Sequence, residues 1–206
     1  AGNDTLNLIS EEGAAVNGAT VTGVETVNYR AAIAGGDIDM VNLTGVTTLN
    51  LDRWTGASDV TNLNLSTGLT VTSATATLDS SVTFLAADVT GSADSSTVSL
   101  KGVLDGAELD FVGAVETMTL AVSGSASRFD NLVFASTTTT LNVDADEALR
   151  VDDIFTGAAL TSLVVTGDSS VIITPTLADT VATVNASANS GGVNVLIGNV
   201  IATATG

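Results

Sequence analysis

Short stretches of alternating apolar and polar residues recur along the chain and predict β-strands. Each stretch has a Thr or Ser, an apolar residue, usually an Asn or Thr, and another apolar residue. Six segments follow this pattern, at residues 24–29, 46–51, 115–120, 138–143, 160–165 and 181–186, and a seventh at 60–65 has Asn in the Thr position. Alternation with a period of two is typical of a strand that buries one face.

The central apolar residue of these segments recurs at a nearly constant interval. The intervals are 22, 23, 22 and 21 residues for the steps Val27–Leu49, Met118–Leu141, Leu141–Leu163 and Leu163–Val184. In several units a turn rich in Gly, Asn, Asp or Ser leads to a second short strand. The step from Leu49 to Leu63 is only 14 residues, and no clear anchor lies between Leu63 and Met118. We therefore expect an irregular or inserted stretch around residues 73–110.

A fixed period near 22 predicts an all-β fold, a right-handed parallel β-helix or solenoid with coils of about 22 residues. An antiparallel β-sandwich of short hairpins is the alternative, but a sandwich has no reason to repeat its side chains in phase. The composition agrees with a narrow coil interior, because 45% of residues are hydrophobic and only 3% are aromatic. We expect residues 1–206 to form a single elongated solenoid segment of a larger protein.

The charge balance limits the partners that the chain can bind. Twenty-three acids against five bases, with no histidine, give a net charge of −18. Nucleic acids and anionic membrane surfaces repel such a polyanion, so we expect neither as a partner. The chain has no stretch of about 18 apolar residues, so we expect no membrane insertion. The acids could bind divalent cations such as calcium, or they could simply keep the protein soluble.

Two groups of acids are candidate calcium ligands because they lie close together in sequence. Asp144, Asp146 and Glu147 share one turn and could form a cup of oxygen ligands. Asp37 and Asp39 form a smaller cluster. None of these has the spacing of an EF-hand loop. The alternative interpretation of each group is a solvated acidic turn.

Two short motifs carry a resemblance to a known family. The opening Gly2-Asn3-Asp4-Thr5-Leu6 resembles the second half of the calcium-binding nonapeptide of RTX proteins, and residues 22–27 and 112–118 resemble the G-[IV]-E-T units of RTX-type bacterial surface-layer proteins. The resemblance implies that Asn3 and Asp4 bind calcium. It further implies type I secretion to the bacterial cell surface and self-association into a lattice. Lipopolysaccharide or a surface glycan would be a partner of other parts of the parent protein.

Three functions remain open from the sequence. The first is a structural module of a surface-layer lattice with calcium bridging acidic turns, and the second is the stalk of an RTX-type adhesin or biofilm-matrix protein. The third is a polysaccharide-active β-helix enzyme, with Asp105, Glu108 and Asp110 supplying acid–base chemistry. We expect no enzyme, because without histidine or cysteine no Ser-His or Cys-His arrangement can exist. Trp54 is expected to cap the apolar stack, with contact to a neighbouring protein as the alternative.

Overall fold

Two long parallel sheets run along the chain and share one apolar interior. In the computed structural model, residues 2–11, 15–16, 20–54, 57–72, 79–198 and 203–205 are described. Their strands stack as a β-solenoid of about eight turns with a spacing near 22 residues, which confirms the predicted fold. All strand pairs given for the described residues are parallel, so the antiparallel sandwich is wrong. No helix in the described part of the chain is long and apolar enough to cross a membrane.

The strands alternate between the two sheets as the chain winds. The first sheet contains, in order, β1 (Thr5–Ser10), β3 (Thr26–Ala31), β6 (Thr48–Asp52), β8 (Gly68–Thr72), β10 (Ser95–Lys101), β12 (Thr117–Val122), β14 (Thr140–Ala145), β16 (Ser162–Gly167), β18 (Thr183–Asn189) and β20 (Thr203–Thr205). The second sheet contains β4 (Ile38–Asp39), β7 (Val60–Leu63), β9 (Asp79–Phe84), β11 (Ala107–Val112), β13 (Ser127–Val133), β15 (Leu149–Thr156), β17 (Val171–Thr176) and β19 (Val193–Leu196). A short pair, β2 (Val21–Thr22) with β5 (Leu43–Thr44), and one 3₁₀ turn at Met40–Asn42 complete the described elements.

Apolar side chains stack in columns inside the coil because the register repeats from strand to strand. One column of the first sheet runs through Leu6, Val27, Leu49, Leu69, Val98, Leu120, Val143 and Val165. All but Leu6 are buried. Strands in a sheet lie about 4.8 Å apart, so each of these side chains touches the equivalent one in the next coil. The column is the core of the fold, and it explains why the apolar phase repeats in the sequence.

The spacing changes in the stretch around residues 73–110. Leu69 pairs with Val98, a step of 29 residues, whereas Val27 and Leu49 are 22 apart. Within this stretch β9, β10 and β11 nevertheless continue both sheets with parallel neighbours, while residues 73–78 lie outside the described residues. Leu63, which matches the repeat pattern, belongs to β7 of the second sheet, and Leu69 occupies the first-sheet column 20 residues after Leu49.

The few aromatic side chains lie inside the coil. Trp54 is fully buried and meets Tyr29 edge to face, with ring centroids 6.4 Å apart. Trp54 is therefore a core residue and not a contact for a neighbouring protein. Phe134 lies between Phe111 and Phe155, at centroid distances of 5.7 and 5.6 Å, at the end of the second-sheet strands. These rings fill the interior where the small β-branched side chains would leave space.

Candidate functional site

The units at residues 22–27 and 112–118, which contain Glu25 and Glu116, have a defined structural role at the turn that precedes the first-sheet strands. The backbone N–H of Asp4 donates to Oε2 of Glu25, and the N–H of Asp94 donates to Oε2 of Glu116, both at 2.8 Å. In return, the carbonyl of Asp4 accepts the N–H groups of Glu25 and Thr26. Each glutamate thus joins its own coil to the coil before it, and the motif is explained without a bound ion.

Threonines near the same turn continue this linkage. The hydroxyl of Thr47 donates to the carbonyl of Glu25, that of Thr139 to the carbonyl of Glu116, and that of Thr161 to the carbonyl of Thr139, at 3.1–3.3 Å. The partners are 22 or 23 residues apart, which is one coil. The repeated Thr of the sequence pattern therefore satisfies backbone carbonyls between coils.

Asn3 and Asp4 lie at an exposed position directly before β1. The backbone of Asp4 is held by Glu25, as described above. Asp94 occupies the equivalent place 22 residues before Glu116, and its Oδ2 accepts the N–H of Gly91 at 2.9 Å. Asn3 and Asp4 remain predicted calcium ligands, because Asn3 can supply an amide oxygen and Asp4 a carboxylate.

The side chains of Asp37 and Asp39 are already engaged in hydrogen bonds. Oδ1 of Asp37 accepts the N–H of Asp59 in the next coil at 2.9 Å. Oδ1 of Asp39 accepts Nδ2 of Asn62 at 2.8 Å and the N–H of Val41 at 3.0 Å. Both half-buried carboxylates therefore help to join consecutive coils, in addition to any ion that they could bind.

The described residues contain one group of three acids with carboxylates close together, and it does not include Asp144, Asp146 or Glu147. Asp144 points outward from β14, since its neighbours Val143 and Ala145 are buried, and its Oδ1 accepts the hydroxyl of Thr166 at 2.9 Å. Asp146 is exposed in the turn that follows, and Glu147 is half-buried there. Asp144 and Asp146 thus present two carboxylates to solvent, and the calcium cup stays a prediction.

The group of acids that the structure does bring together is Asp105, Asp130 and Asp152, whose carboxylate oxygens lie within 4.8 Å of one another. An arginine occupies this cluster. Nη1 of Arg128 contacts Asp105 at 2.8 Å and its Nε contacts Asp152, while Nε of Arg150 contacts Asp152 at 2.6 Å. Two guanidinium groups therefore neutralise most of the negative charge, and the arrangement is an ion-pair network across three coils.

The ion pairs determine the acidity of Asp152. Burial opposes the charge on this carboxyl, but hydrogen bonds from Arg128 and Arg150 outweigh burial and lower its pKa. The cluster is not evident from neighbouring residues in the sequence, because each member comes from a different coil. The available signal was the period itself: Asp105, Asp130 and Asp152 are 25 and 22 residues apart.

The three acids considered for acid–base chemistry lie in two different environments. Asp105 is bound to Arg128, whereas Glu108 and Asp110 lie on β11 beside Asp79 of β9. Partial burial, and then the nearby charges of Asp79, Glu108 and Asp59, raise the pKa of Asp110. Glu108 and Asp79 are register partners, so like charges face each other on adjacent strands. The second sheet therefore has a crowded row of carboxylates on its outer side.

Comparison with known proteins adds no assignment: no family model, curated protein or solved structure matches the chain.

Proposed function

We propose that this chain is a structural module of a bacterial surface-layer protein, a rigid rod that associates with copies of itself on the outside of the cell. The observation that carries the proposal is the continuous order of parallel strands, ten in one sheet and eight in the other. Each coil is held to the next by sheet hydrogen bonds, by apolar columns and by the side-chain links of Glu25, Glu116 and the turn threonines. Such a stack resists bending and offers long, regular outer faces for contacts.

Calcium enters this proposal as a bridge between molecules. Calcium takes six to eight oxygen ligands, so one or two surface carboxylates of one chain supply only part of its coordination shell. Arg128 fills the one three-acid cluster found in the described residues, so this cluster does not fit an ion. Exposed carboxylates such as those of Asp4, Asp144 and Asp146 have free lone pairs, and a second molecule can complete their coordination.

Electron microscopy of the purified chain, with calcium and with a chelator, tests the proposal. We expect ordered two-dimensional or filamentous arrays with calcium and their loss after chelation. A chain that stays monomeric at high concentration with millimolar calcium would contradict the lattice function. Isolated rods that extend from cells without a lattice would instead support the stalk of an adhesin or matrix protein.

Circular dichroism and calorimetry with added calcium separate the fold from the ion. Because sheet pairing and the apolar columns are complete within the chain, we expect a folded protein without calcium. Binding of calcium at millimolar concentration with little spectral change would agree with bridging of surface carboxylates. The absence of any calcium binding would remove calcium from the proposal and leave direct contacts between molecules.

A further inference from the structure

The outer faces of the two sheets differ in charge. The described first-sheet strands contain two bases and two acids, Arg30, Lys101, Asp52 and Asp144, for a net charge of zero. The second-sheet strands contain seven acids and two bases, a net charge of −5; the acids are Asp39, Asp79, Glu108, Asp110, Asp130, Asp152 and Asp153, and the bases are Arg128 and Arg150. Since the sheets share one core, their outer faces point away from each other.

Two cations on the first sheet lack an acidic partner. Arg30 and Lys101 make no ion pair with the described residues, although the chain has 23 acids. Nε of Arg30 is buried and makes no hydrogen bond with the part of the chain that the structure describes. Asp52 lies between them on the sheet and is already paired with Arg53, at 3.1 Å. Both cations are therefore available to pair with carboxylates of another molecule.

The surface beside Lys101 is polar and shallow. A hollow of about 360 Å³ is lined by three asparagines, two threonines, Asp52 and Lys101. The asparagines form a ladder, in which Nδ2 of Asn28 donates to Asn7 and Nδ2 of Asn50 donates to Asn28, both at 2.8 Å. We refer to Arg30, Lys101 and this ladder of Asn7, Asn28 and Asn50 as the cationic strip. The strip offers hydrogen-bond donors together with two positive charges.

The second sheet has the complementary arrangement. Asp79, Glu108 and Asp110 lie side by side on β9 and β11, while the two arginines of that sheet pair with Asp105 and Asp152. We refer to Asp79, Glu108 and Asp110 as the acidic row. No described arginine or lysine forms an ion pair with the row. The same chain therefore has unpaired cations on one face and unpaired anions on the other.

We propose that the cationic strip of one molecule docks on the acidic row of a second copy, so that solenoids pack side by side, first sheet against second sheet. This inference rests on the proposed self-assembly and names its contact. Neighbouring strands lie about 4.8 Å apart in both sheets, so residues in successive coils of one molecule can lie opposite residues in successive coils of the other. The contact joins two different surfaces, so it does not close on itself and generates an open row of molecules.

The large negative charge of each copy does not prevent this contact at physiological salt. The Debye length there is about 8 Å, so charges far from the interface are screened and those at the interface dominate. An anionic saccharide is the other class of ligand that two unpaired cations could bind. A second copy is favoured because its acidic row is opposite in charge to the strip.

Sedimentation velocity of the full chain at low and physiological salt tests the contact. Lys101→Gln removes a cation from the strip, and Arg150→Gln is the matched control because it removes one cation from the opposite sheet. We expect Lys101→Gln and Arg30→Gln each to weaken association about two- to fivefold, as for exposed ion pairs. We expect Arg150→Gln, which makes the acidic face more negative, to leave association unchanged or to strengthen it. Circular dichroism verifies that each variant is folded.

The outcomes separate this contact from the proposed function. If the wild-type chain assembles and Lys101→Gln assembles equally well, or if Lys101→Gln and the control Arg150→Gln weaken assembly equally, the contact is wrong and the lattice function stands. If the wild-type chain stays monomeric with calcium, both fail. If oligogalacturonate binds the chain, binding is lost in Lys101→Gln and self-association is unaffected, the strip is a saccharide site and the contact is overturned.

Discussion

The carboxylate of Glu116 accepts a hydrogen bond from the backbone N–H of Asp94, one coil earlier, at a distance of 2.8 Å. Glu25 makes the same contact with Asp4. Glu116→Ala leaves the half-buried N–H of Asp94 without its charged acceptor, and a bond of this kind contributes about 1.5–3 kcal/mol. We expect the free energy of unfolding in urea to fall by about 1–2 kcal/mol, since water can partly replace the carboxylate.

Two variants control this prediction. Glu116→Gln keeps an acceptor oxygen in the same place, so we expect a smaller loss. Glu108→Ala removes a carboxylate that faces Asp79 and makes no hydrogen bond to an earlier coil among the described residues, so we expect no loss. Equal destabilisation by Glu116→Ala and Glu108→Ala would show that the link between coils contributes nothing.

Gly167 of β16 lies directly against its register partner Ala145 of β14. Its φ is +95°, and a Cβ atom at this position would lie 2.3 Å from the carbonyl oxygen of Ala145. Gly167→Ala therefore adds a backbone clash to the strain of a left-handed conformation, and we expect a loss of at least about 3 kcal/mol. Gly124→Ala is the control, because Gly124 has φ +75° and open space around it, so only about 1–2 kcal/mol of strain is expected. If thermal denaturation showed the same loss of stability for Gly167→Ala and Gly124→Ala, the clash with Ala145 would have no effect.

Leu141 is a fully buried member of a first-sheet column, with Met118 and Leu163 as its register partners. Leu141→Ala opens a cavity between these two coils, and such changes cost about 2–5 kcal/mol. Val164→Ala, on the outer side of β16, should cost less than about 1 kcal/mol. Chemical denaturation of both variants measures the difference, and a column that relaxed to fill the cavity would give a value near that of Val164→Ala.

Arg128 occupies the cluster of Asp105, Asp130 and Asp152. Arg128→Gln removes one guanidinium and leaves three carboxylates within 4.8 Å of one another. We expect this variant to be less stable than the wild type in a chelator, because the ion pairs of Arg128 with Asp105 and Asp152 are lost. Millimolar calcium should raise its melting temperature more than that of the wild type, because the ion can now replace the lost cation. The absence of a calcium-dependent difference would mean that the cluster cannot hold an ion even without Arg128.

Asp110 makes the stability of the fold decrease as the pH rises, whereas a salt-bridged acid makes it increase. Its pKa is raised in the folded state by partial burial and by Asp79, Glu108 and Asp59. The folded protein therefore holds the proton more tightly than the unfolded chain. The resulting stability is present below the unfolded pKa of about 3.9 and is lost as the pH rises through the folded pKa. We expect Asp110→Asn to stabilise the protein at pH 7 by less than about 0.5 kcal/mol and to have no effect near pH 3. Equal melting temperatures of both proteins at pH 7 would contradict this.

The lowered pKa of Asp152 gives the usual acid dependence. Its stabilising effect is present above the unfolded pKa and is lost as the pH falls through the folded pKa. Asp152→Asn should therefore reduce stability at pH 7, where the carboxylate is charged, and should match the wild type in strong acid. Urea denaturation at pH 7 and in strong acid measures the difference.

The apolar period by itself determined the fold class. Side chains in a parallel stack face their own equivalents one coil away, so the phase of Val27 and Leu49 in one column, and of Met118, Leu141 and Leu163 in another, repeats in the sequence as it does in space. The repeat was ambiguous where a coil has two similar strands. Residues 60–65 matched the pattern of the first sheet, but Leu63 lies in the second. Only the pairing of the strands shows which of two alternating segments belongs to which sheet.

The grouping of charges was decided by the tertiary structure. Acids that are neighbours in sequence, such as Asp144 and Asp146, do not form a three-acid group with Glu147, while Asp105, Asp130 and Asp152 meet from three coils around Arg128. The physical reason is that a solenoid brings residues one period apart to within about 5 Å of each other. Composition and period thus determined an acidic, stacked β rod, and the exact register between coils decided which charges are paired and which face outward.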